Sequence, residues 1–262
     1  MAPPALDRTE PVVIRPEGRS PVVLLCDHAA NFVPPVLDRL GLPEADLARH
    51  IAWDPGALPV AEMLSDLLDA PLVHPTVSRL VIDCNRAHDA PDLIPTVSET
   101  TVIPGNQGLS DADRRMRIEA VHRPFHAAVE RLIAGRLAAR LPTVLVSIHS
   151  FTPVYHGRPR PWQVGILYGV DTRLSAPLIA AIAQAQPSFE VGANEPYAPA
   201  DGVYHTLETH GQRHGIASAM VEIRNDEIAT PAQHEWWARL LGVCLRSLVE
   251  DTAIVTPQER SA

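Results

Sequence analysis

The sequence predicts an α/β protein in which helices cover both faces of a largely parallel sheet. Short apolar runs alternate along the chain with longer segments of helical periodicity, and several of these runs are too continuous to have one face in water. A chain of 262 residues that is 46% hydrophobic can also bury one sizeable core. We expect a single domain over residues 21–252. Residues 1–20 are expected to form a loose arm and residues 253–262 a tail, because neither end shows periodicity.

Six apolar runs are predicted to be strands, over residues 22–26, 71–73, 80–83, 143–149, 164–167 and 217–223. Four segments with helical periodicity lie between or after them, over residues 57–68, 110–140, 173–184 and 231–249. Ser110 is expected to cap the second helix, with Asp111 and Asp113 near the positive end of its dipole. Pro124 is expected to kink or divide it. Because strands that alternate with helices are joined by crossovers, the sheet should be largely parallel.

Three irregular stretches do not fit this alternation: residues 86–108, 152–161 and 194–202, all rich in Pro, Gly, Asn or Asp. Long irregular loops in a compact domain are more often binding loops than spacers. We therefore expect these three loops to cluster over the ends of the strands.

Composition and charge exclude several classes of function. The net charge is -9, aromatic residues make up 5% and no basic block is present, which argues against a nucleic-acid partner. All 22 basic residues are arginine, so chemistry that needs a lysine is excluded.

No apolar run reaches the ~18 residues of a membrane span, and no cationic leader with an apolar core opens the chain. A cytoplasmic protein without a membrane partner is expected. The three cysteines, Cys26, Cys84 and Cys244, are odd in number and widely spaced, so they are expected to be core residues rather than disulfide partners.

His28 and His149 are candidate metal ligands because each ends or follows a buried apolar run. A lone histidine at a strand end is usually structural, but two such residues could meet in one crevice of an open α/β sheet. Two imidazoles and a carboxylate leave one position of a tetrahedral zinc ion open for water or substrate. Asp54 is a candidate for the carboxylate, although it could also be an ordinary N-cap, and Asp27 and Asn31 are alternatives.

Two further pairs of histidines have a spacing of four residues, His122 with His126 and His210 with His214. On a helix each pair would share a face suited to a metal ion. No Glu follows the first histidine as in the zincin helix motif, and Pro124 interrupts the first pair. We therefore expect both pairs to be structural, or to support a metal site without binding the ion.

Arginines frame one of the predicted strands, with Arg79 before it and Asn85 and Arg86 after it. A planar guanidinium beside an amide suits a substrate carboxylate. A local ion pair between Asp83 and Arg86 would account for one arginine equally well. Glu222 lies inside another apolar run, so it either pairs with an arginine or acts as a tuned acid or base.

Five segments, in this order, resemble the N-formylglutamate amidohydrolase family. They are Cys26-Asp27-His28-Ala29-Ala30-Asn31, Ser78-Arg79-Leu80-Val81-Ile82-Asp83-Cys84-Asn85-Arg86, Ile148-His149-Ser150-Phe151-Thr152-Pro153, Asn194-Glu195-Pro196-Tyr197 and Val221-Glu222-Ile223-Arg224-Asn225-Asp226. Each segment alone is weak, and together they are specific over about residues 20–250. The family is similar in fold to zinc carboxypeptidases and aspartoacylase. The resemblance therefore implies a three-layer αβα sandwich around a mixed, largely parallel sheet.

The resemblance also implies a metal site, since those relatives hold zinc with two histidines and one carboxylate. Carried over, His28 and His149 become ligands. The relatives place a Glu three residues after the first histidine, where this chain has Asn31, an amide that binds zinc poorly. Members of the family carry an acidic residue before a Trp near the start of the following helix. Trp53-Asp54 resembles this pair with the order reversed. Asp54 is accordingly predicted to be the third ligand, with Zn²⁺ or another divalent metal as cofactor.

For the reaction, the resemblance implies Glu222 as general base and Asn85-Arg86 as the clamp on the substrate carboxylate, helped by Arg79 and Arg224. We predict a metal-dependent amidohydrolase that removes the N-formyl, or another small N-acyl, group from an acidic amino acid such as N-formylglutamate. The alternatives are a hydrolase of another N-acyl amino acid or small amide, and a metal-free carboxylate-binding protein that has lost catalysis. A cysteine or serine hydrolase is a more distant alternative. The partner is a small molecule, and the sequence predicts no oligomeric state.

Overall fold

The structure is a computed structural model that describes residues 6–258. The protein adopts an α/β fold around a seven-stranded sheet. The strands are β1 (Val12–Ile14), β2 (Val22–Leu25), β3 (Leu72–His74), β4 (Val97–Ser98), β5 (Thr101–Val102), β6 (Val144–Phe151), β7 (Val154–Tyr155), β8 (Arg158–Pro159), β9 (Val164–Leu167), β10 (Val191–Ala193) and β11 (Ser218–Arg224). Two short ribbons, β4-β5 and β7-β8, stand apart. The remaining strands form the central sheet in the order β1-β3-β2-β6-β11-β9-β10.

The helices are α1 (Glu44–Leu47), α2 (Ala57–Leu68), α3 (Asp111–Arg117), α4 (Arg123–Ala138), α5 (Ser175–Ala185), α6 (His205–His210), α7 (Pro231–Leu248) and α8 (Thr252–Val255). Short 3-10 turns lie at Pro35–Gly41, Pro104–Asn106, Pro199–Asp201, Gln212–His214 and Asn225–Ile228, and a π turn lies at Ile118–His122. Over residues 6–258, no helix is both long and apolar enough to cross a membrane.

The central sheet is mixed and largely parallel, as the sequence predicts. Only β1 with β3 and β11 with β9 are antiparallel, and the other neighbouring strands are parallel. Successive side chains of a strand point to opposite faces, so Val22 and Leu24 of β2 join one apolar core while Val23 and Leu25 join the other. Helices α2, α5 and α7 cover the first face, and α4 covers the second. The three-layer αβα sandwich is confirmed.

One predicted strand is wrong. Residues 80–81 form a turn and residues 82–83 have no regular structure, although Leu80, Val81 and Ile82 are fully buried against the α4 side of the sheet. A short apolar run reports burial but does not distinguish a strand from another buried segment. Conversely, β10 was not predicted, because three residues with a central Gly192 give no periodic signal.

The ends of the chain are more ordered than the sequence suggests. Within the predicted arm 1–20, β1 pairs with β3 as the edge strand of the sheet, with Val12 opposite His74. Within the predicted tail 253–262, the residues up to 255 belong to α8, and Ile254 and Val255 are buried. Neither segment is loose over these residues. Residues 1–5 and 259–262 lie outside the described part of the chain.

The segment predicted as one interrupted helix, 110–140, contains α3, the π turn and α4. Ser110 caps α3 as predicted, and Asp113 completes a capping box. The helical backbone continues from α3 through the π turn into α4, since Arg117, His122 and Arg123 all keep right-handed helical angles and the N–H of Arg123 donates to the carbonyl of Ile118. The predicted interruption is therefore found as a π turn just before Pro124, whose ring cannot supply a helical N–H.

Candidate active site

A cavity of about 250 Å³ opens where the three predicted loops meet over the sheet. Its lining includes Pro95 from the first loop, Tyr155 from the second and Tyr197 from the third, together with His149 and Glu222 from the sheet. The expectation that these loops cluster is confirmed. The cavity thus combines rigid side chains on strands with side chains on loops, a common arrangement for an active site.

Parallel pairing places His149 and Glu222 side by side. His149 on β6 is the register partner of Glu222 on β11. Both residues alternate with core residues of the α2 side, Ile148 and Val221, so their side chains point to the opposite face. His149 lies inside its strand, which runs to Phe151, and not at the strand end.

His28, Asp54 and His149 form a buried group that could hold a metal ion. One nitrogen of each histidine and one oxygen of Asp54 lie within 4.8 Å of one another. The Nδ1 atoms of His28 and His149 are 3.3 and 2.8 Å from Asp54 Oδ2. Asp54 reaches this place because its backbone N–H donates to the carbonyl of His28. The structure brings together the three predicted ligands; Asn31 instead donates to the carbonyl of Leu47.

The other ring nitrogens of the two histidines face carboxylates. Nε2 of His28 is 2.7 Å from Asp83 Oδ1, and Nε2 of His149 is 3.0 Å from Asp27 Oδ2. Asp27 is held in turn by the hydroxyls of Ser147 and Thr206, at 2.6 and 2.5 Å. A histidine that gives its N–H to a carboxylate presents its second nitrogen as a lone pair, as metal-binding histidines commonly do.

The electrostatics of this group favour a cation. Burial opposes the ionisation of His149, but its hydrogen bonds to Asp27 and Asp54 outweigh burial and raise its pKa well above the usual value. Burial also opposes the ionisation of Asp54, but the two histidines outweigh it and lower the pKa of that carboxyl. Three buried carboxylates, including Asp83, thus share one region, which attracts positive charge.

Glu222 is buried, and its Oε2 has no hydrogen-bond partner among residues 6–258. Burial, reinforced by the charge of Asp54, raises the pKa of Glu222 to about 7, although His149 opposes the rise. No arginine among residues 6–258 forms an ion pair with this carboxyl group, so the structure does not show the ion pair that the sequence offered as an alternative. A carboxyl group with this pKa can take up and release a proton near neutral pH.

Arg79 and Arg86 both line the cavity, but they contact different groups. Arg79 donates to Asp83 at 2.6 Å, and its Nη1 is 3.2 Å from His28 Nδ1. Arg86 donates through Nε to Asp92 at 2.7 Å, so the alternative ion pair of Arg86 with Asp83 is not formed.

The structure does not place Asn85 and Arg224 as free substrate ligands. Asn85 lines the cavity, but its amide donates to the carbonyl of Val203 and accepts from the backbone of Thr206, which joins two loops. The guanidinium of Arg224 donates to the carbonyls of residues 160–162 and pairs with two neighbouring carboxylates. Arg224 is not among the residues that line the cavity.

Arg160 was missed from the sequence, as was its neighbour Tyr155, whereas its neighbour Tyr197 belongs to a segment that resembles the family. Its guanidinium lies 4.4 Å from the ring centre of Tyr155 and 4.7 Å from that of Tyr197, and it donates to the Tyr197 hydroxyl at 2.9 Å. Burial, together with the charge of Glu222, raises the pKa of Tyr197 to about 12. The only signal for Arg160 and Tyr155 was that both fall in the predicted binding loop 152–161.

The comparisons with known proteins agree with this fold. Residues 20–229 match the family model described as N-formylglutamate amidohydrolase. A gene product from Agrobacterium tumefaciens with a crystal structure is 43% identical, with a TM-score of 0.87 over 92% of this chain and 96% of that chain. The N-formylglutamate amidohydrolase from Ralstonia eutropha is 18% identical, with a TM-score of 0.62 over 92% of this chain and 97% of that chain, a likeness of fold alone. No curated protein matches the chain.

Proposed function

We propose a function from the family to which the chain belongs, the N-formylglutamate amidohydrolases, whose members hydrolyse amide bonds. In our proposal the protein removes an N-formyl, or another small N-acyl, group from an acidic amino acid such as N-formylglutamate. The reaction is metal-dependent. One observation carries the proposal. His28, Asp54 and His149 converge in the cavity that also receives the buried carboxyl group of Glu222.

The donor set fits a zinc ion. Two imidazoles and one carboxylate are a common ligand set of catalytic zinc and leave a position for water or substrate. The Nε2 atoms of His28 and His149 face Asp83 and Asp27, which supports Nδ1 as the binding atom of each ring. A divalent cation held there, Zn²⁺ in our proposal, supplies Lewis-acid chemistry to the acyl oxygen and to water.

Glu222 is the proposed general base and then the general acid. Its carboxylate accepts a proton from the water that attacks the acyl carbon. As the carbon–nitrogen bond breaks, the same oxygen gives this proton to the leaving amine, so the products are formate and the free amino acid. A pKa that burial raises to about 7 suits both steps.

Arg86 is the proposed ligand of the substrate carboxylate. Its Nε bonds to Asp92 and its Nη1 to the carbonyl of Asn85, which fixes the plane of a guanidinium that lines the cavity. A fixed guanidinium can bind a carboxylate through paired hydrogen bonds. Arg79 is proposed to help from its place beside His28, and Asn85 to hold the loop that carries Arg86.

The proposal is tested by hydrolysis assays after metal depletion with a chelator. We expect turnover of N-formylglutamate to be lost on depletion and restored by Zn²⁺, Co²⁺ or Mn²⁺. N-acetyl and N-succinyl glutamate identify the acyl group, and N-formylglutamine, which lacks the side-chain carboxylate, is the matched control. Full turnover without metal would overturn the metal dependence, and equal turnover of N-formylglutamine would overturn the preference for an acidic amino acid.

The domain organisation and location of the protein are proposed with this function. A single amidohydrolase domain over residues 21–252 is supported by the family match over residues 20–229. The three cysteines, Cys26, Cys84 and Cys244, are buried free thiols, which supports a reducing compartment such as the cytoplasm.

A further inference from the structure

A second group of imidazoles lies outside the active-site cavity. His122 and His126 come from α4 and the turn before it, and His205 opens α6. Each offers a ring nitrogen within 4.8 Å of the nitrogens of the other two. None of the three lines the cavity that holds Glu222.

The local structure explains how His122 and His126 share one helix face. The π turn Ile118–His122 widens the helix just before α4, and π turns often occur at functional sites. Pro124 lies in the first turn of α4 and does not break the helical spacing of four residues. The sequence argument that the proline separates this pair is therefore wrong, and the ring centres are 4.3 Å apart.

Backbone carbonyls orient both rings. Nε2 of His122 is 2.9 Å from the carbonyl of Arg86, and Nε2 of His126 is 2.9 Å from the carbonyl of Cys84. A carbonyl can only accept, so each Nε2 carries the hydrogen and each Nδ1 carries a lone pair. Metal-binding histidines are commonly fixed in this way by a backbone carbonyl.

The third ring is accessible and has unused nitrogens. No hydrogen bond joins either ring nitrogen of His205 to any of residues 6–258, and the side chain is partly exposed in a second surface cavity. The Nδ1 atoms of His122 and His126 are within hydrogen-bond distance of Nε2 of His88 and Nε2 of His210, at 3.0 and 2.8 Å, and a metal ion bound by the two Nδ1 atoms replaces these contacts.

We propose that His122, His126 and His205 form a second metal site, distinct from His28, Asp54 and His149, for a divalent transition-metal cation such as Zn²⁺. Its donors are imidazoles, which suit zinc, nickel or copper and disfavour calcium and magnesium. The ion clamps α4 and α6 to the segment that contains Cys84 and Arg86. That segment also supplies Asp83, the partner of His28, so the second ion stabilises one wall of the first site.

The test is the zinc content of the full-length protein after chelation, reloading with Zn²⁺ and dialysis. We expect two zinc ions per chain for the parent protein, one for H122Q/H126Q, one for H28Q/H149Q and none for the combined variant. H234Q is the matched control, because His234 also lies in a helix and bonds through Nε2 to a backbone carbonyl, that of Ile228. It should keep both ions.

The pattern of losses separates the two sites. An unchanged zinc content in H122Q/H126Q would overturn the second site and leave the active site intact. A single zinc in the parent protein that only H122Q/H126Q loses would support the second site and overturn the first. Because H122Q/H126Q removes two buried hydrogen bonds, circular dichroism must show that it folds. If it does not fold, H205Q decides: we expect it to lose one zinc, and two retained zinc ions would overturn the proposal.

Discussion

The Oε2 atom of Glu222 is buried without a hydrogen-bond partner among the described residues. Such an arrangement costs stability and is therefore expected at a catalytic position. Replacing it by an isosteric amide removes the proton acceptor and keeps the shape. We predict that Glu222→Gln lowers kcat by about 10²–10⁴-fold and leaves the bound zinc unchanged. Steady-state kinetics and elemental analysis measure the two effects. Glu190→Gln on the surface is the control, and undiminished turnover in Glu222→Gln would return this residue to a structural role.

Arg86 offers a test of substrate recognition. Lysine cannot reproduce two parallel hydrogen bonds, and one charge-assisted bond contributes roughly 1.5–3 kcal/mol. We predict that Arg86→Lys lowers kcat/KM for N-formylglutamate by about 10- to 100-fold, taking 1.4 kcal/mol as tenfold. An acyl amide without a carboxylate should be affected little. Arg239→Lys, on the exposed face of α7, is the control, and equal losses on both substrates would mean that Arg86 supports the fold.

At the level of elements, strand β9 must pass close to the loop that carries Tyr197. A Cβ added at Gly165 would lie 1.7 Å from the carbonyl oxygen of Glu195, so the strand or the loop must move. We predict that Gly165→Ala destabilises the protein by about 1–3 kcal/mol and also lowers activity. Gly135→Ala in α4 is the control: its Cβ meets nothing within 4 Å, and it should stabilise the helix by roughly 0.5–1 kcal/mol. Urea denaturation measures both, and equal stabilities would contradict the prediction.

The elements that sequence predicted well are those whose pattern comes from burial over many residues. Strands β6 and β11 are continuous apolar runs covered on both faces, and α2 and α7 repeat apolar residues at helical spacing. The predicted strand over residues 80–83 is wrong because a buried turn or irregular segment can be as apolar as a strand. Strand β1 was not predicted because it is an edge strand of three residues, and its place depends on pairing with β3 rather than on its own sequence pattern.

For the candidate site, sequence predicted which residues could meet but not all of their contacts. His28, Asp54, His149 and Glu222 could be selected because polar groups interrupt apolar runs or open a helix. The contacts of Arg224 could not be predicted, because its partners are backbone carbonyls of residues 160–162. The same holds for Asp27 behind His149, since its role depends on strand pairing across more than a hundred residues.

At the scale of the whole molecule, metal binding should raise stability. A ligand that binds only the folded state stabilises it by about 2.7 kcal/mol at one hundred times its Kd. For a chain of this size this corresponds to a rise in Tm of roughly 5–10 °C. We predict such a rise when Zn²⁺ is added to chelator-treated protein, measured by calorimetry, with Mg²⁺ as the control. A Tm that does not respond to Zn²⁺ would contradict metal binding to the native fold.

The most direct test of the proposed active site is anomalous diffraction at the zinc absorption edge from crystals of the zinc-loaded protein. We predict an anomalous peak about 2.0–2.2 Å from Nδ1 of His28, Nδ1 of His149 and an oxygen of Asp54. Crystals of His149→Ala should lack this peak. Zinc-loaded crystals of the parent protein with no peak among these three residues would contradict the metal centre on which the proposed reaction depends.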